Sequence, residues 1–404
     1  MADRYQRHAT GWPAVEYEAH PWEPRYTPLA SRAQRQRHRG PYEAAVPAAI
    51  ARLPVDLPSA IAAAAEDAAA EIARFDAELG QEVAPFAAVL LRSESAASSK
   101  IENLTASARA IAEAQVLPGG RGNAALIVGN EQAMTAAISL ADRIDADAVL
   151  AMHAALLADS EPEIAGQWRD EQVWIGGGDL GPHGALFIPP HYGRVPDAIE
   201  DLMSFIRRDD VPVLAHVALA HAQFETIHPF PDGNGRTGRA LVHAQLRSKG
   251  LTRHVTVPVS AGLLSDTDAY FEALTRYREG DHLPIVEQFT RAAFAAVTNA
   301  RVLAEEINVI RQRWRTQVKA RRDATAWRVA DLLLRRPVVN AAVIAAELGV
   351  APHNTYRSLK PLVDAGVLLE FTAKRRYQMW RAPEVLEALD RFAARAGRRA
   401  RSGR

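Results

Sequence analysis

The stretch that most constrains this chain runs from His228 to Arg239 and reads HPFPDGNGRTGR. Its glycines, Asn and Asp would suit a structural turn, but a turn needs neither an imidazole nor a pair of guanidinium groups beside them. Glycine-rich backbone can expose several N–H groups in one tight loop, and a helix that starts directly after such a loop also favours anions at its N-terminus. The stretch therefore predicts a polyphosphate site with a base at its entrance.

This stretch resembles the signature of the Fic (Fic/Doc) family, His-x-Phe-x-Asp/Glu-Gly-Asn-Gly-Arg-x-x-Arg, and matches every defined position. The resemblance implies a protein adenylyltransferase, which moves AMP from ATP to a Tyr, Thr or Ser hydroxyl of a target protein, and of itself, with release of pyrophosphate. His228 would be the general base, a role that suits an imidazole because its ordinary pKa is about 6.5. Asp232 would hold Mg²⁺ between the α- and β-phosphates.

The resemblance also implies how the nucleotide is bound. Arg236 would bind the β-phosphate, and Arg239 would bind the γ-phosphate and so set the α-phosphate in line for attack. Tyr270, in the segment DAYFEAL, resembles the family residue that lies against adenine, although a core tyrosine is an equal interpretation. The implied nucleotide-binding set is Phe230, Asp232, Gly233, Asn234, Gly235, Arg236, Arg239 and Tyr270.

A second motif lies upstream, where Ser98, Glu102 and Asn103 fit the pattern Ser/Thr-x-x-x-Glu-Gly/Asn. Ser98 and Glu102 are four residues apart and would share one face of a helix. The pattern resembles the inhibitory helix of the Fic family, which implies that Glu102 pairs with Arg239 in place of the γ-phosphate. A carboxylate and a phosphate do compete for one guanidinium fork. A plain surface helix is the other interpretation.

Residues 166–190 predict a β-hairpin, because two apolar segments flank a glycine-rich tip at 176–184. The hairpin resembles the flap of Fic proteins, which holds a target peptide by main-chain pairing. An exposed strand edge suits this task because it demands little of the partner's sequence. A hairpin that only covers the core is the alternative.

Charge divides the chain into two unlike parts. Residues 311–404 carry 21 Lys and Arg against 8 Asp and Glu, although the whole chain has a formal net charge of zero. This asymmetry indicates two different partners, and docking of the two parts on each other is the alternative. We expect a loosely ordered arm at 1–56, helices with the inhibitory motif at 57–123, a catalytic domain at 124–310, a winged helix-turn-helix at 311–390 and a basic tail at 391–404.

The expected fold class is mainly α: a Fic-type helical bundle with a hairpin flap, followed by a small winged-helix (α+β) domain. Helix, turn, helix and two short strands follow one another from Trp327 to Trp380, which is similar to a winged helix-turn-helix. Asn354, Thr355, Arg357 and Lys360 would then lie on the exposed side of a recognition helix, with Lys374–Arg376 as a basic wing. DNA is one partner for such a module. A protein, either a target or a second copy in a homodimer, is the other.

Composition excludes several classes of function. The chain has no Cys, so neither disulfides nor thiolate metal sites can form. No apolar run approaches the roughly 20 residues of a membrane span, and the polar N-terminus lacks the apolar core of a signal peptide, so we expect a cytoplasmic protein. Three functions stay open: a self-inhibited adenylyltransferase, an enzyme that removes AMP from modified proteins with Glu102 positioning water, and a DNA-binding regulator that senses nucleotide.

Overall fold

The computed structural model describes residues 11–22, 31, 36–80, 84–117, 122–178, 180–371 and 378–397, and they form a mainly α protein, as predicted. The helices of the larger part are α1 (Ser59–Gly80), α2 (Ala84–Ile101), α3 (Ala108–Ala114), α4 (Asn123–Ser139), α5 (Ala146–Leu157), α6 (Val195–Ile206), α7 (Val213–Ile227), α8 (Asn234–Ser248), α9 (Val259–Leu263), α10 (Thr267–Arg278) and α11 (Leu283–Gln317). Short 3-10 turns lie at Tyr192–Arg194 and Leu264–Asp266. Within the described ranges, the helices are all too short or too polar to cross a bilayer.

Helices α7 and α8 form the centre of the bundle. Every residue of α7 after Val213 is buried, because its sequence LAHVALAHAQFETI is mostly apolar or small and is suited to a helix enclosed by others. Its polar side chains are buried as well. Helix α8 is buried from Asn234 to Leu246 apart from Gly235. The signature stretch joins these two helices, so its loop is mounted on the most rigid part of the molecule.

The sequence predicted a loose arm at 1–56, but residues 11–22 and 36–56 of it have a defined structure. Strands β1 (Glu16–His20) and β2 (Tyr42–Val46) pair antiparallel, with Tyr17 opposite Ala45. The Ala45 N–H also donates to the Ile188 carbonyl at 3.0 Å, which attaches this ribbon to the 166–190 segment. Trp12 is buried, and its ring stacks on His282 with 4.8 Å between centroids. The expectation of a loose arm was wrong for these residues, because buried aromatic side chains fasten the segment to the bundle.

The predicted hairpin at 166–190 is reduced to one antiparallel bridge between Ile175 and Phe187. The Ile175 N–H donates to the Phe187 carbonyl at 2.8 Å, and the Leu186 and Phe187 N–H groups both donate to the Ile175 carbonyl. Gly176–Gly178 and Pro189–Pro190 flank this bridge on the two arms. Glycine weakens a strand and proline removes a ladder donor, which explains why the pairing ends so soon.

The C-terminal part has the order of elements expected of a winged helix. It comprises α12 (Thr325–Arg335), β3 (Val338–Asn340), α13 (Ala341–Leu348), α14 (Pro352–Asp364), β4 (Leu369–Glu370) and β5 (Met379–Arg381), with the antiparallel strand order β3-β5-β4. Arg357 and Lys360 are exposed on α14, with Lys360 paired to Asp364 at 2.9 Å. Thr355, expected on the exposed side, is buried instead. The Asn354 side chain and the Lys374–Arg376 wing lie outside the described residues.

The expected boundaries at 310 and 391 are both crossed by helices. Helix α11 is continuous through residue 310, and α15 (Pro383–Ala396) includes the first six residues of the expected tail. Arg391 and Arg395 on α15 both pair with Glu306 on α11, at 3.0 and 2.8 Å. The Asp390 carboxylate accepts the N–H of Ala108, the first residue of α3, at 2.9 Å. Some of the C-terminal positive charge is therefore used to dock this part on the rest of the chain.

Candidate active site

The signature loop begins in a conformation that few side chains adopt. His228 follows the last residue of α7 and has a φ of 50°, while its N–H donates to the Phe224 carbonyl at 2.9 Å. A left-handed conformation at a residue other than glycine costs free energy, and such strain is often kept where function requires it. The imidazole is thereby turned out of the helix at the entrance of the loop.

The loop is closed by Asn234. Its side-chain oxygen accepts the Phe230 N–H and its side-chain nitrogen donates to the Phe230 carbonyl, both at 2.8 Å. Gly233 has a φ of 75° and directly precedes α8. The Asn234 amide therefore fixes the loop, whereas the sequence predicted that it would bind phosphate oxygens. The backbone N–H groups at the start of α8 remain the anion-binding element.

Phe230 is held between two rings that the sequence did not single out. The His153 ring stacks on it with 3.7 Å between centroids and 6° between planes, and Trp168 lies on it at 4.9 Å. The Gly166 N–H donates to His153 Nδ1, so Nε2 carries the proton and donates to the Asp232 carbonyl at 3.1 Å. Burial lowers the pKa of His153 to about 4, which keeps this neutral tautomer in place. Phe230 is completely buried and is a support of the loop.

Arg169 is a second support that sequence reasoning missed. Its side chain is buried, and it donates from Nε to the His228 carbonyl at 2.8 Å and from Nη2 to the Pro190 carbonyl at 2.5 Å. Its own N–H donates to the Pro229 carbonyl at 3.0 Å. Arg169 therefore joins the signature loop to both arms of the 166–190 segment.

Asp232, which is exposed, and Arg236, which is buried, form an ion pair at the mouth of the expected phosphate cradle. The Asp232 carboxylate is 55% exposed and accepts from Arg236 Nη2 at 2.8 Å. Arg236 is 4% exposed, and its Nε and Nη1 atoms find no partner among the described residues. Buried donors without partners are costly, so a bound anion would stabilise them. The contacts of Asp232 and Arg236 with a nucleotide stay predictions.

Glu102 lies on this cradle. Arg239 Nη2 donates to Glu102 Oε1 at 2.7 Å and to the Ser98 carbonyl at 3.0 Å, while Arg239 Nε donates to Ser98 Oγ at 2.9 Å. A Cβ added to Gly235 would come within 2.0 Å of Glu102 Oε1. The carboxylate thus covers the first turn of α8 as well as the Arg239 guanidinium. The Glu102 carboxylate is therefore an internal anion that lies against two groups expected to bind anions, the start of α8 and Arg239.

Asn103 supplies the turn that brings Glu102 to this position. Helix α2 ends at Ile101, Asn103 has a φ of 62°, and the Leu104 N–H donates to the Ser99 carbonyl at 3.0 Å. This is the helix ending in which glycine or Asn adopts the left-handed conformation. The Gly/Asn position of the motif therefore has a backbone role, and the exposed Asn103 side chain is not needed on the cradle.

Helix α2 is fixed against the bundle by buried polar contacts. Glu94 is fully buried, accepts from Ser260, and is hydrogen-bonded to His243 Nε2 of α8 at 2.7 Å. Asn130 of α4 donates to the Ser95 carbonyl and to Ser99 Oγ, both at 3.0 Å. Because these partners surround α2, the register that places Ser98 and Glu102 against Arg239 is set by the core.

His228 lies near two positively charged side chains. Burial, together with the positive charges of Arg278 and Arg169, lowers the pKa of His228 to about 3. The imidazole is therefore unprotonated at neutral pH. Its Nδ1 atom has no hydrogen-bond partner among the described residues. Arg278 is held over the Phe187 ring at 3.8 Å and donates to the Glu225 carbonyl at 3.2 Å.

Glu225, three residues before His228, was also missed. Its Oε1 atom is buried without a hydrogen-bond partner in the described part of the chain. Burial raises the pKa of Glu225 from its ordinary value of 4.5 to about 7, although the Arg239 charge opposes this rise. Only its position on the face of α7 that carries the site could have indicated it from the sequence.

Glu225 makes the stability of the folded chain depend on pH. Between about pH 4.5 and 7 the folded state keeps this carboxyl proton and the unfolded state has lost it, so stability falls as pH rises through that window. The contribution is on the order of 3 kcal/mol for a shift of this size. We expect Glu225→Gln to remove this part of the slope. Urea unfolding of both proteins at pH 5 and pH 7.5 measures it, and parallel pH slopes would contradict the assignment.

Tyr270 lies where the second interpretation placed it, in the core. The ring is 1% exposed, and its hydroxyl is hydrogen-bonded to His221 Nε2 at 2.7 Å. Burial raises the pKa of Tyr270, so it stays protonated. With no face open to a base, Tyr270 is not placed to stack on adenine in this conformation. Its phenol instead lies near Arg239 and supports the cradle from below.

Fold and site together define a helical protein in which a buried helix N-terminus and two Arg side chains lie next to an imidazole. Residues 143–246 match the model of the Fic/DOC family, so the chain contains a Fic/DOC domain that includes the signature loop. This confirms the family prediction made from the loop. The matched region extends through α5, α6 and α7 into α8.

Individual proteins that are similar to this chain also carry adenylyltransferase or Fic names. A probable protein adenylyltransferase of Aquifex aeolicus (strain VF5) is 29% identical over 163 residues, which are 37% of this chain and 48% of that protein. The protein adenylyltransferase fic-1 of Caenorhabditis elegans is 28% identical over 160 residues, 39% of this chain and 28% of that protein. The chain thus spans half or less of the length of these relatives. A crystal structure of a Fic family protein from Desulfovibrio desulfuricans G20 has the same fold, with a TM-score of 0.52, 21% identity, and coverage of 82% of this chain and 98% of that one.

Proposed function

We propose that the chain is a self-inhibited protein adenylyltransferase, which moves AMP from ATP to a Tyr, Thr or Ser hydroxyl of a protein. The observation that carries this proposal is the pairing of Glu102 with Arg239 over the first turn of α8. An internal carboxylate on an anion site is expected where a phosphate has to be admitted and controlled. The match of residues 143–246 to the Fic/DOC model supports the reaction class.

The residues divide the work of holding ATP. The N–H groups at the start of α8 and the free donors of Arg236 would bind the α- and β-phosphate oxygens. Arg239 would bind the γ-phosphate once Glu102 has moved away. Binding all three phosphates fixes the α-phosphorus, and such positioning supplies most of the catalysis in phosphate transfer.

The reaction balances with His228 as the base. The target hydroxyl oxygen forms a bond to the α-phosphorus, and the bond from that phosphorus to the oxygen bridging to the β-phosphate breaks. Pyrophosphate leaves with the electron pair, and the hydroxyl proton passes to the neutral imidazole. Arg169 holds the His228 carbonyl at 2.8 Å, and so keeps the base at the loop entrance.

Asp232 is the residue that would hold Mg²⁺. Its carboxylate is exposed at the mouth of the cradle, and the described residues contain no cluster of three or more His, Cys, Asp or Glu suited to a metal. One carboxylate fits Mg²⁺ when nucleotide phosphates complete its shell, because this ion is commonly bound through one or two carboxylates plus substrate phosphates. When bound, the ion would offset charge on the departing pyrophosphate.

The test compares ATP labelled at the α-phosphorus with ATP labelled at the γ-phosphorus, each incubated with the Glu102→Gly protein and a cell lysate. Adenylyl transfer leaves the α label on protein and the γ label in pyrophosphate. Phosphoryl transfer leaves the opposite pattern. The same lysate without this chain gives the background. Protein label above that background from the γ position, or from neither position, would refute the proposed function.

A further inference from the structure

The ribbon of β1 and β2 is fastened beside the catalytic loop. The Val15 N–H donates to the Arg278 carbonyl at 2.9 Å, next to the start of β1. Both Glu18 carboxylate oxygens accept from Arg194 at 2.7 Å, and Trp12 is stacked on His282. Through Ala45, β2 occupies the Ile188 side of the 166–190 segment. An N-terminal strand of the chain itself is thus pinned in the region where a target strand would be received.

Strand alternation points Tyr17 away from these anchors. Glu18 and His20 lie on one face of β1, where they contact Arg194 and the His191 ring. Tyr17 lies on the opposite face, since successive side chains of a strand alternate. Its side chain is 58% exposed, whereas its backbone is held in the ribbon. The strand therefore presents one free phenol on a fixed main chain.

Arg278 connects this phenol with the base. The Val15 N–H, two residues before Tyr17, donates to the Arg278 carbonyl at 2.9 Å, and the positive charge of Arg278 helps to lower the pKa of His228. The Arg278 guanidinium lies over Phe187 and reaches the Glu225 carbonyl in the last turn of α7. Tyr17 is thus an exposed hydroxyl on a strand that Arg278 holds, and Arg278 in turn lies near the imidazole of His228.

We propose that Tyr17 is the residue on which the chain modifies itself with AMP, within the same molecule. This proposal rests on the proposed function and names an acceptor for it. The Tyr17 phenol oxygen attacks the α-phosphorus of ATP, a phosphodiester bond to tyrosine forms, and pyrophosphate departs. The phenol proton passes to His228. The positive charge of Arg278, whose carbonyl holds the strand at Val15, stabilises negative charge on the phenol oxygen as the proton leaves.

The neighbouring tyrosines are less suited to accept AMP. Tyr42 is 5% exposed, and its hydroxyl donates to Gln172 at 3.1 Å. Tyr192 is 40% exposed, but its ring lies against His191 on the Glu18 face of the ribbon. Tyr192 therefore offers a matched control of similar exposure, and Tyr356 on α14 offers one far along the chain.

The experiment uses full-length Glu102→Gly protein, with and without Tyr17→Phe, incubated with α-labelled ATP, Mg²⁺ and cell lysate. Trypsin yields the peptide of residues 8–25, in which Thr10 and Tyr17 are the only hydroxyl side chains. Mass spectrometry is expected to find one AMP on Tyr17, and Tyr17→Phe to lose that self-labelling while lysate proteins are still labelled. Tyr192→Phe and Tyr356→Phe are expected to keep it. The labelled fraction per unit time should not change on dilution.

The outcomes separate the two proposals. Labelled lysate proteins together with undiminished self-labelling of Tyr17→Phe would overturn the assignment of Tyr17 and leave the proposed function intact. A rate of self-labelling that falls on dilution would overturn modification within one molecule. Absence of label from both the chain and the lysate would overturn the proposed function, and the acceptor with it.

Discussion

Replacing His228 with alanine is expected to reduce AMP transfer by about 10²- to 10⁴-fold, the range usual for loss of a general base. Nucleotide binding should persist, because the cradle consists of the start of α8, Arg236 and Arg239 and does not use the imidazole. Transfer from α-labelled ATP and equilibrium binding of ATP, both measured in the Glu102→Gly background, test the two halves of this expectation.

Two further variants test whether a loss of transfer comes from a disturbed backbone instead of the missing imidazole. Alanine tolerates the φ of 50° at position 228 poorly, so His228→Asn is the matched variant, since Asn visits the left-handed region more readily. His228→Ala and His228→Asn are both expected to lose AMP transfer. His254→Ala, which removes an imidazole paired with Asp76 away from the loop, should keep it. Near-normal transfer by either His228 variant would rule out the base assignment.

Replacing Glu102 with glycine is expected to raise self-modification about 10- to 100-fold, the factor that corresponds to loss of one hydrogen bond to a charged group. The carboxylate competes with phosphate for Arg239 and covers the first turn of α8. Its removal frees both groups at once. Initial rates of self-labelling and the affinity for ATP should rise together, because the competitor acts on binding.

The neighbouring residue provides the control for this effect. Asn103→Gly suits the same left-handed turn and leaves the Glu102 carboxylate in place, so it should not activate. Glu102→Gln keeps the side-chain size and removes the charge, and we expect intermediate activity. Activation by Asn103→Gly as strong as that by Glu102→Gly would mean that loosening the turn, and not freeing Arg239, is responsible.

Sequence reasoning was most informative where the chemistry is contiguous. His228, Asp232, Arg236 and Arg239 lie within twelve residues, and the structure assembles them by little more than the turn between α7 and α8. The pairing of Glu102 with Arg239 spans 137 positions and was predicted only because a short motif resembles a known family. The roles of these residues stay predictions until the variants above are measured.

The residues that hold the site in place could not be predicted from the sequence in the same way. His153, Arg169 and Arg278 come from separate segments, and each acts through backbone carbonyls or ring faces that no residue pattern specifies. The N-terminal ribbon escaped prediction because β1 is five residues long and lies in a proline-rich segment. Tyr270 carried two equal interpretations, and only the packing of α7 against α10 could decide between them.

The position of α2 has one further consequence. This helix packs on α8 through Glu94 and also contacts α12 and α15 of the C-terminal part. A ligand that binds the C-terminal part and prefers one placement of α2 would change the affinity for ATP by a coupling free energy. By thermodynamic reciprocity, ATP would change the affinity for that ligand by the same factor. Binding at the ATP site and binding at the C-terminal part are then thermodynamically linked, because both depend on the placement of α2.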